Sequence, residues 1–162
     1  MTAETQIRLD RMRYTKDKFS ANLVLLAIVL DALYFISIYK TDVGTYYYTW
    51  VIGASIIYNL LFMLGAFLAS EGVKNRKTGY TALLIVIGLL QIVRIFYLPA
   101  LARKATVTIH DVEYIVMTDK QYYYVVVCLA LSAVCCITAA ISSAINNNKL
   151  AKYMRFLENT TV

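Results

Sequence analysis

The residues with the most chemical potential in this chain are polar side chains stranded inside long apolar runs. Asp31 interrupts the run 19–39, Asn59 the run 46–70, and Gln91 and Arg94 the run 79–98. Along helices rising about 1.5 Å per residue from their basic ends, Asp31, Asn59, Gln91 and Arg94 lie at about 18, 16, 18 and 22 Å, in one layer. Gln91 and Arg94 are three apart and share a helix face. A lone charge at that depth costs about 2.5–3.5 kcal/mol on insertion scales. Asp31 and Arg94 are therefore expected to pair, with Asn59 and Gln91 taking up the remaining hydrogen-bonding groups. Such a centre has two uses. It can set the register of helices, with amide bonds worth about 0.6 kcal/mol each, or it can carry a proton, an ion or a substrate.

Other chemistry is poorly provided for. The single histidine, His110, stands beside Asp111 and near Glu113, and no other ligand has the spacing of a zinc site. Phosphate-binding loops, dinucleotide fingerprints and nucleophile elbows are absent from the sequence. Cys135 and Cys136 are adjacent, not spaced as a Cys-x-x-Cys redox pair. No catalytic role, cofactor or metal is expected.

The elements that must position the polar layer are membrane-spanning helices. Of the 162 residues 60% are hydrophobic and 16% charged, against about 45–50% and 25% in soluble domains. The apolar residues concentrate in spans 19–39, 46–70, 79–98 and 122–145, each long enough to cross a hydrocarbon core of about 30 Å as a helix. Backbone groups in lipid must pair internally, and the alternation a barrel requires is missing, so four helices follow. A signal peptide fits poorly: the basic leader 1–18 is long, and no small-x-small cleavage site follows the first run.

Eleven of the 16 Lys and Arg residues fall in the leader, the turn between spans two and three, and the tail 146–162. Only Lys40, Arg103, Lys104 and Lys120 fall in the opposite loops. That asymmetry predicts a multi-pass protein of the cell membrane with both termini cytoplasmic. The net charge of +6 then belongs to a basic cytoplasmic face that meets anionic lipids, and nucleic-acid binding is not expected. Tyr39, Tyr46, Tyr47, Tyr48, Trp50, Tyr97 and Tyr122 to Tyr124 mark an outer aromatic belt.

Short connections make neighbouring spans antiparallel. Pro99 is expected to stop the third helix, and alternating residues over 106–110 and 114–118 predict a small outer β-hairpin around Asp111, Val112 and Glu113. Thr118 with Gln121 reads as a capping box opening the fourth span, and the end of the tail reads as frayed. The leader can form a basic surface helix, although Ile7, Leu9 and Met12 make a poor apolar stripe.

The fourth span carries a second signal. Cys128, Ser132, Cys136, Ala140 and Ala144 recur every fourth residue, a small face that lets another helix backbone approach closely. That helix belongs either to the same bundle or to another subunit.

The expectation is an all-α, integral membrane four-helix bundle with both termini cytoplasmic and a small outer hairpin. Its small size, minimal loops and long packing face suggest an accessory or structural subunit of a larger membrane complex, most plausibly concerned with transport. Self-association is the alternative form of assembly. The competing function is a homo-oligomeric transporter or channel that uses Asp31 and Arg94 directly.

Overall fold

A computed structural model describes residues 3–39, 49–104, 106–109, 112–115 and 117–160. Five helices account for nearly all of it: α1 (Ala3–Tyr14), α2 (Lys18–Tyr39), α3 (Thr49–Lys74), α4 (Thr78–Lys104) and α5 (Asp119–Thr160). The last four are long and apolar enough to cross a membrane. Strands β1 (Thr106–Ile109) and β2 (Val112–Ile115) pair antiparallel between α4 and α5, with Thr108 opposite Glu113. The second strand thus begins two residues before 114, and Met117 turns inward to a buried position below it. His110, Asp111 and the tyrosines at 46–48 lie outside the described residues.

Local chemistry explains where the helices begin and end. Asp17 caps α2: its Oδ1 accepts from the Ser20 amide at 3.1 Å and its Oδ2 from the Ser20 hydroxyl at 3.0 Å. The expected loop after residue 70 is instead a further turn of α3, stabilised by an ion pair of 2.7 Å between Lys74 and Glu71. The helix ends in a Schellman motif, with the Lys77 amide donating to Gly72 O at 3.0 Å and the Arg76 amide to Val73 O at 2.9 Å. Its left-handed position is filled by Arg76, at φ 58°, where glycine is the usual occupant. A non-glycine residue there stores about 1–3 kcal/mol of backbone strain.

Two expectations are corrected. Pro99 does not end the third span; α4 runs through it to Lys104. Proline removes one amide and its bond, a loss a membrane helix tolerates when it packs against neighbours, and Pro99 is fully buried. The fourth span does not end at 145 either, and residues 146–160, assigned to the tail, are helical; the last two residues of the tail lie outside the described residues. Residues 146–160 continue α5, whose 42 residues extend about 63 Å, roughly twice the hydrocarbon thickness. α1 folds back against this extension, with Leu9 and Tyr153 buried. At the other end of α5 the Gln121 amide donates to Thr118 Oγ1 at 3.4 Å, while the Gln121 side chain donates across to Ser37 O at 3.1 Å. Thr118 therefore caps α5, and Gln121 also ties it to α2.

α5 packs along both α2 and α4, and α3 closes the ring between α2 and α4, with its thinnest seam against α4. Hydroxyl bonds stitch the three thicker seams. Ser70 donates to Ala21 O at 3.1 Å, Ser132 donates to Ala27 O at 3.0 Å, and Thr81 and Ser143 pair at 3.2 Å. Two apolar clusters fill the interior. One, around Val24, Phe62, Ala66 and Leu84, lies toward the α3–α4 turn; the other, around Tyr34, Leu98, Met117 and Leu129, lies toward the strands. The polar layer sits between them.

Candidate functional site

The layer is assembled by all four long helices. Asp31, fully buried on α2, stands where one turn below lies Ala27 and one turn above lies Tyr34. Its Oδ1 accepts two bonds from α4, one from Gln91 Nε2 at 2.9 Å and one from Arg94 Nη1 at 2.9 Å. The second is an ion pair between side chains with only 5% and 0% of their surface exposed. Arg94 Nη2 donates to Asn59 Oδ1 on α3 at 2.8 Å. Gln91 Nε2 also approaches Ser132 Oγ of α5 at 3.5 Å. Asp31, Asn59, Gln91 and Arg94 therefore form one contiguous network, and their spacing along three helices is what puts them at one level.

Three further members were not singled out for this role from the sequence. Ser132, assigned to the packing face, is the contribution of α5. Tyr34 and Tyr58 sandwich the guanidinium, their ring centroids 4.3 and 4.8 Å from Arg94 Cζ. Each such contact is worth about 2 kcal/mol or more when desolvated. A signal existed for Tyr34, three residues after Asp31 on the same helix face; Tyr58 is adjacent to Asn59 in sequence, a spacing that does not place the two on one face.

Electrostatically the centre is a neutral pair in an apolar surround. An isolated charge would pay the full desolvation penalty, so the pair is kept by mutual attraction and by hydrogen bonds from both terminal nitrogens of the arginine, Nη1 to Asp31 and Nη2 to Asn59. Some capacity is left over. Asp31 Oδ2, Gln91 Oε1 and Arg94 Nε are buried without a hydrogen-bond partner. Arg94 borders a cavity of about 520 Å³ in the thin α3–α4 seam, walled by Ala54, Leu90, Val93 and Leu98. Ser55, whose buried Oγ also lacks a partner, lines it beside Tyr58.

The small face of α5 is settled by the same packing. Cys128, Ser132, Cys136 and Ala140 are buried and Ala144 half-buried, turned into the bundle. Gly88 of α4 faces this helix too: a β-carbon there would stand 2.9 Å from Ile137 Cγ1 and 3.5 Å from Cys136 Cβ. The face thus serves contacts within the chain, so its length is no argument for a second subunit. All three cysteines are free thiols. Among the described residues, no three His, Cys, Asp or Glu side chains gather as a metal site would need.

What the arrangement can do chemically is limited and definite. It holds a positive and a negative charge in the apolar interior, orients the arginine between two aromatic faces, and leaves one edge of it toward a seam cavity. Comparison with protein-family models, with curated proteins and with solved structures finds no match for this chain.

Proposed function

We propose that this chain is a non-catalytic, multi-pass subunit of the cell membrane, with both termini cytoplasmic, that works as an accessory or structural component of a larger transport-related assembly. The observation that carries the reading is the closure of the charged layer. Asp31 is fully buried and bonded by Arg94 and Gln91, so the chain's interior charge is neutralised by the chain itself. A bundle locked in this way is a rigid body, suited to being held in a complex. The extension of α5 supplies a projecting element for such contact, about 22 Å over residues 146–160. Lys149, Lys152, Arg155 and Phe156 are exposed along it. The cytoplasmic placement of this end is supported by its share of the Lys and Arg residues.

One observation favours a second reading. The seam cavity reaches Arg94 and the unpartnered Ser55 hydroxyl, which is where a transporter or channel would admit a polar solute to the charged pair. Purification from native membranes in mild detergent separates the two. The subunit reading expects a stoichiometric complex that survives size-exclusion chromatography and dissociates when residues 146–160 are removed. A stable homo-oligomer that conducts ions in liposomes, and loses conduction in Ser55→Leu, would overturn it in favour of the transporter.

A further inference from the structure

We propose that the cleft between the α1–α2 linker and the α3–α4 turn is a binding site for the phosphate group of an anionic phospholipid. The cleft is lined by Tyr14, Thr15, Lys16, Lys18, Phe19 and Arg76, with Asp17 at its base, and encloses about 630 Å³. It is a built feature of the fold. The Asp17 amide donates to Lys74 O at 3.0 Å, capping the end of α3, and Arg76 Nε donates to Thr15 O at 3.2 Å. The two connections that form its walls are thereby stitched together.

The charge of the cleft is positive and uncommitted. Lys16, Lys18 and Arg76 face a single carboxylate, Asp17. That carboxylate is already occupied by the Ser20 amide and hydroxyl and lies 3.4 Å from Asn146 Nδ2. Glu71, the nearest acid on α3, is taken by Lys74. The Nη1 of Arg76 is buried and has no partner. An arginine and two lysines lining one cleft, with only one carboxylate among them, is the chemistry that grips a phosphate.

A second observation is independent of charge. Arg76 occupies the left-handed position of the α3 cap, at φ 58°, where glycine would sit without strain. The fold carries an unfavourable backbone in order to hold a guanidinium at this point, and strain of this kind points to a functional position. The location selects the lipid over a free anion. The cleft opens where three apolar spans begin or end, and the exposed Phe19 and Tyr14 beside it are suited to meeting acyl chains at the headgroup level. The proposal rests on the membrane placement of the four helices and requires no partner subunit.

The test is titration of the purified protein with phosphatidylglycerol and with phosphatidylcholine of identical acyl chains, read by native mass spectrometry as a ratio of affinities. The wild type should prefer phosphatidylglycerol. Each basic residue near an anionic surface is worth about fivefold, so Arg76→Gly and Lys16→Gln should each lower the preference about fivefold, and Arg76→Lys should retain most of it. Arg76→Gly relieves the backbone, which offsets the lost bond to Thr15 O, so its melting temperature without lipid should equal or exceed that of the wild type; a lost preference then reports lost recognition, not lost folding. An undiminished preference in Arg76→Gly would overturn the proposal. So would inorganic phosphate that competes as well as the whole lipid, since a soluble anion would then suffice. Vesicle co-sedimentation in the same preparation checks membrane placement separately: failure there, in vesicles of either lipid, counts against the spans themselves.

Discussion

Removing one member of the Asp31–Arg94 pair strands the other in an apolar interior, and the structure sets how unequal the two losses should be. Asp31→Asn keeps the size of the side chain and one acceptor oxygen, but turns the 2.9 Å ion pair into a hydrogen bond from a still-charged guanidinium to a neutral amide. Breaking a buried pair on one side typically costs about 3–5 kcal/mol, and this substitution belongs at the lower end. Arg94→Gln removes more. The bond to Asn59 Oδ1 at 2.8 Å goes, the contacts with the Tyr34 and Tyr58 rings go, and Asp31 is left charged with Gln91 alone. It should fall at about 5 kcal/mol. The double variant Asp31→Asn with Arg94→Gln contains no stranded charge and should be more stable than the sum of the two losses by about 2–3 kcal/mol. A charge-swapped pair should recover less than this neutral pair. An aspartate at 94 would lie between two aromatic faces that attract cations, and an arginine at 31 would leave them. The assay is reversible unfolding of the four proteins in mixed micelles of mild detergent and dodecyl sulfate, followed by circular dichroism. Additivity within about 0.5 kcal/mol would mean that the two residues do not interact, and the account of the centre would fail.

Three further outcomes follow from the packing. Ser132→Leu should destabilise the isolated monomer by about 1–3 kcal/mol, because a larger side chain must part α2 and α5 where Ser132 Oγ bonds Ala27 O at 3.0 Å; an unchanged melt would place that face outside the bundle. Gly88→Val should lower the melting temperature more than Gly88→Ala, since the first β-carbon is crowded by Ile137 Cγ1 at 2.9 Å and touches Ala133 O and Cys136 Cβ at 3.5 Å, while branching crowds α5 further; equal melts would refute the close approach of α4 and α5. For topology, in a background lacking Cys128, Cys135 and Cys136, Val112→Cys should be labelled from outside intact cells, and Asn75→Cys only after permeabilisation. The reverse pattern would invert the proposed orientation.

The spans could be read from one dimension because each is decided locally. A run of apolar residues long enough for the bilayer must satisfy its own backbone, whatever its neighbours are. The same holds for the polar layer. Asp31, Asn59, Gln91 and Arg94 are carried to one depth by helical rise alone, and only one acid and one base are there to pair. Helix ends were less legible. The turns of α3 and α4 beyond their apolar stretches are held by the Glu71–Lys74 pair and by burial of Pro99, and neither shows in hydropathy.

Partner choice was decided only in three dimensions. The small face of α5 has the same four-residue repeat whether it meets α2 or a foreign helix, because periodicity gives a direction around the helix axis and no identity for what lies there. Packing answered that: Ser132 bonds Ala27 O and reaches toward Gln91, so one residue serves both the seam and the centre. The tyrosine sandwich around Arg94 and the strained arginine beside Lys16 and Lys18 are likewise products of tertiary structure. Each joins residues from separate helices or turns, and sequence distance carries no information about how helices rotate against one another in a bundle.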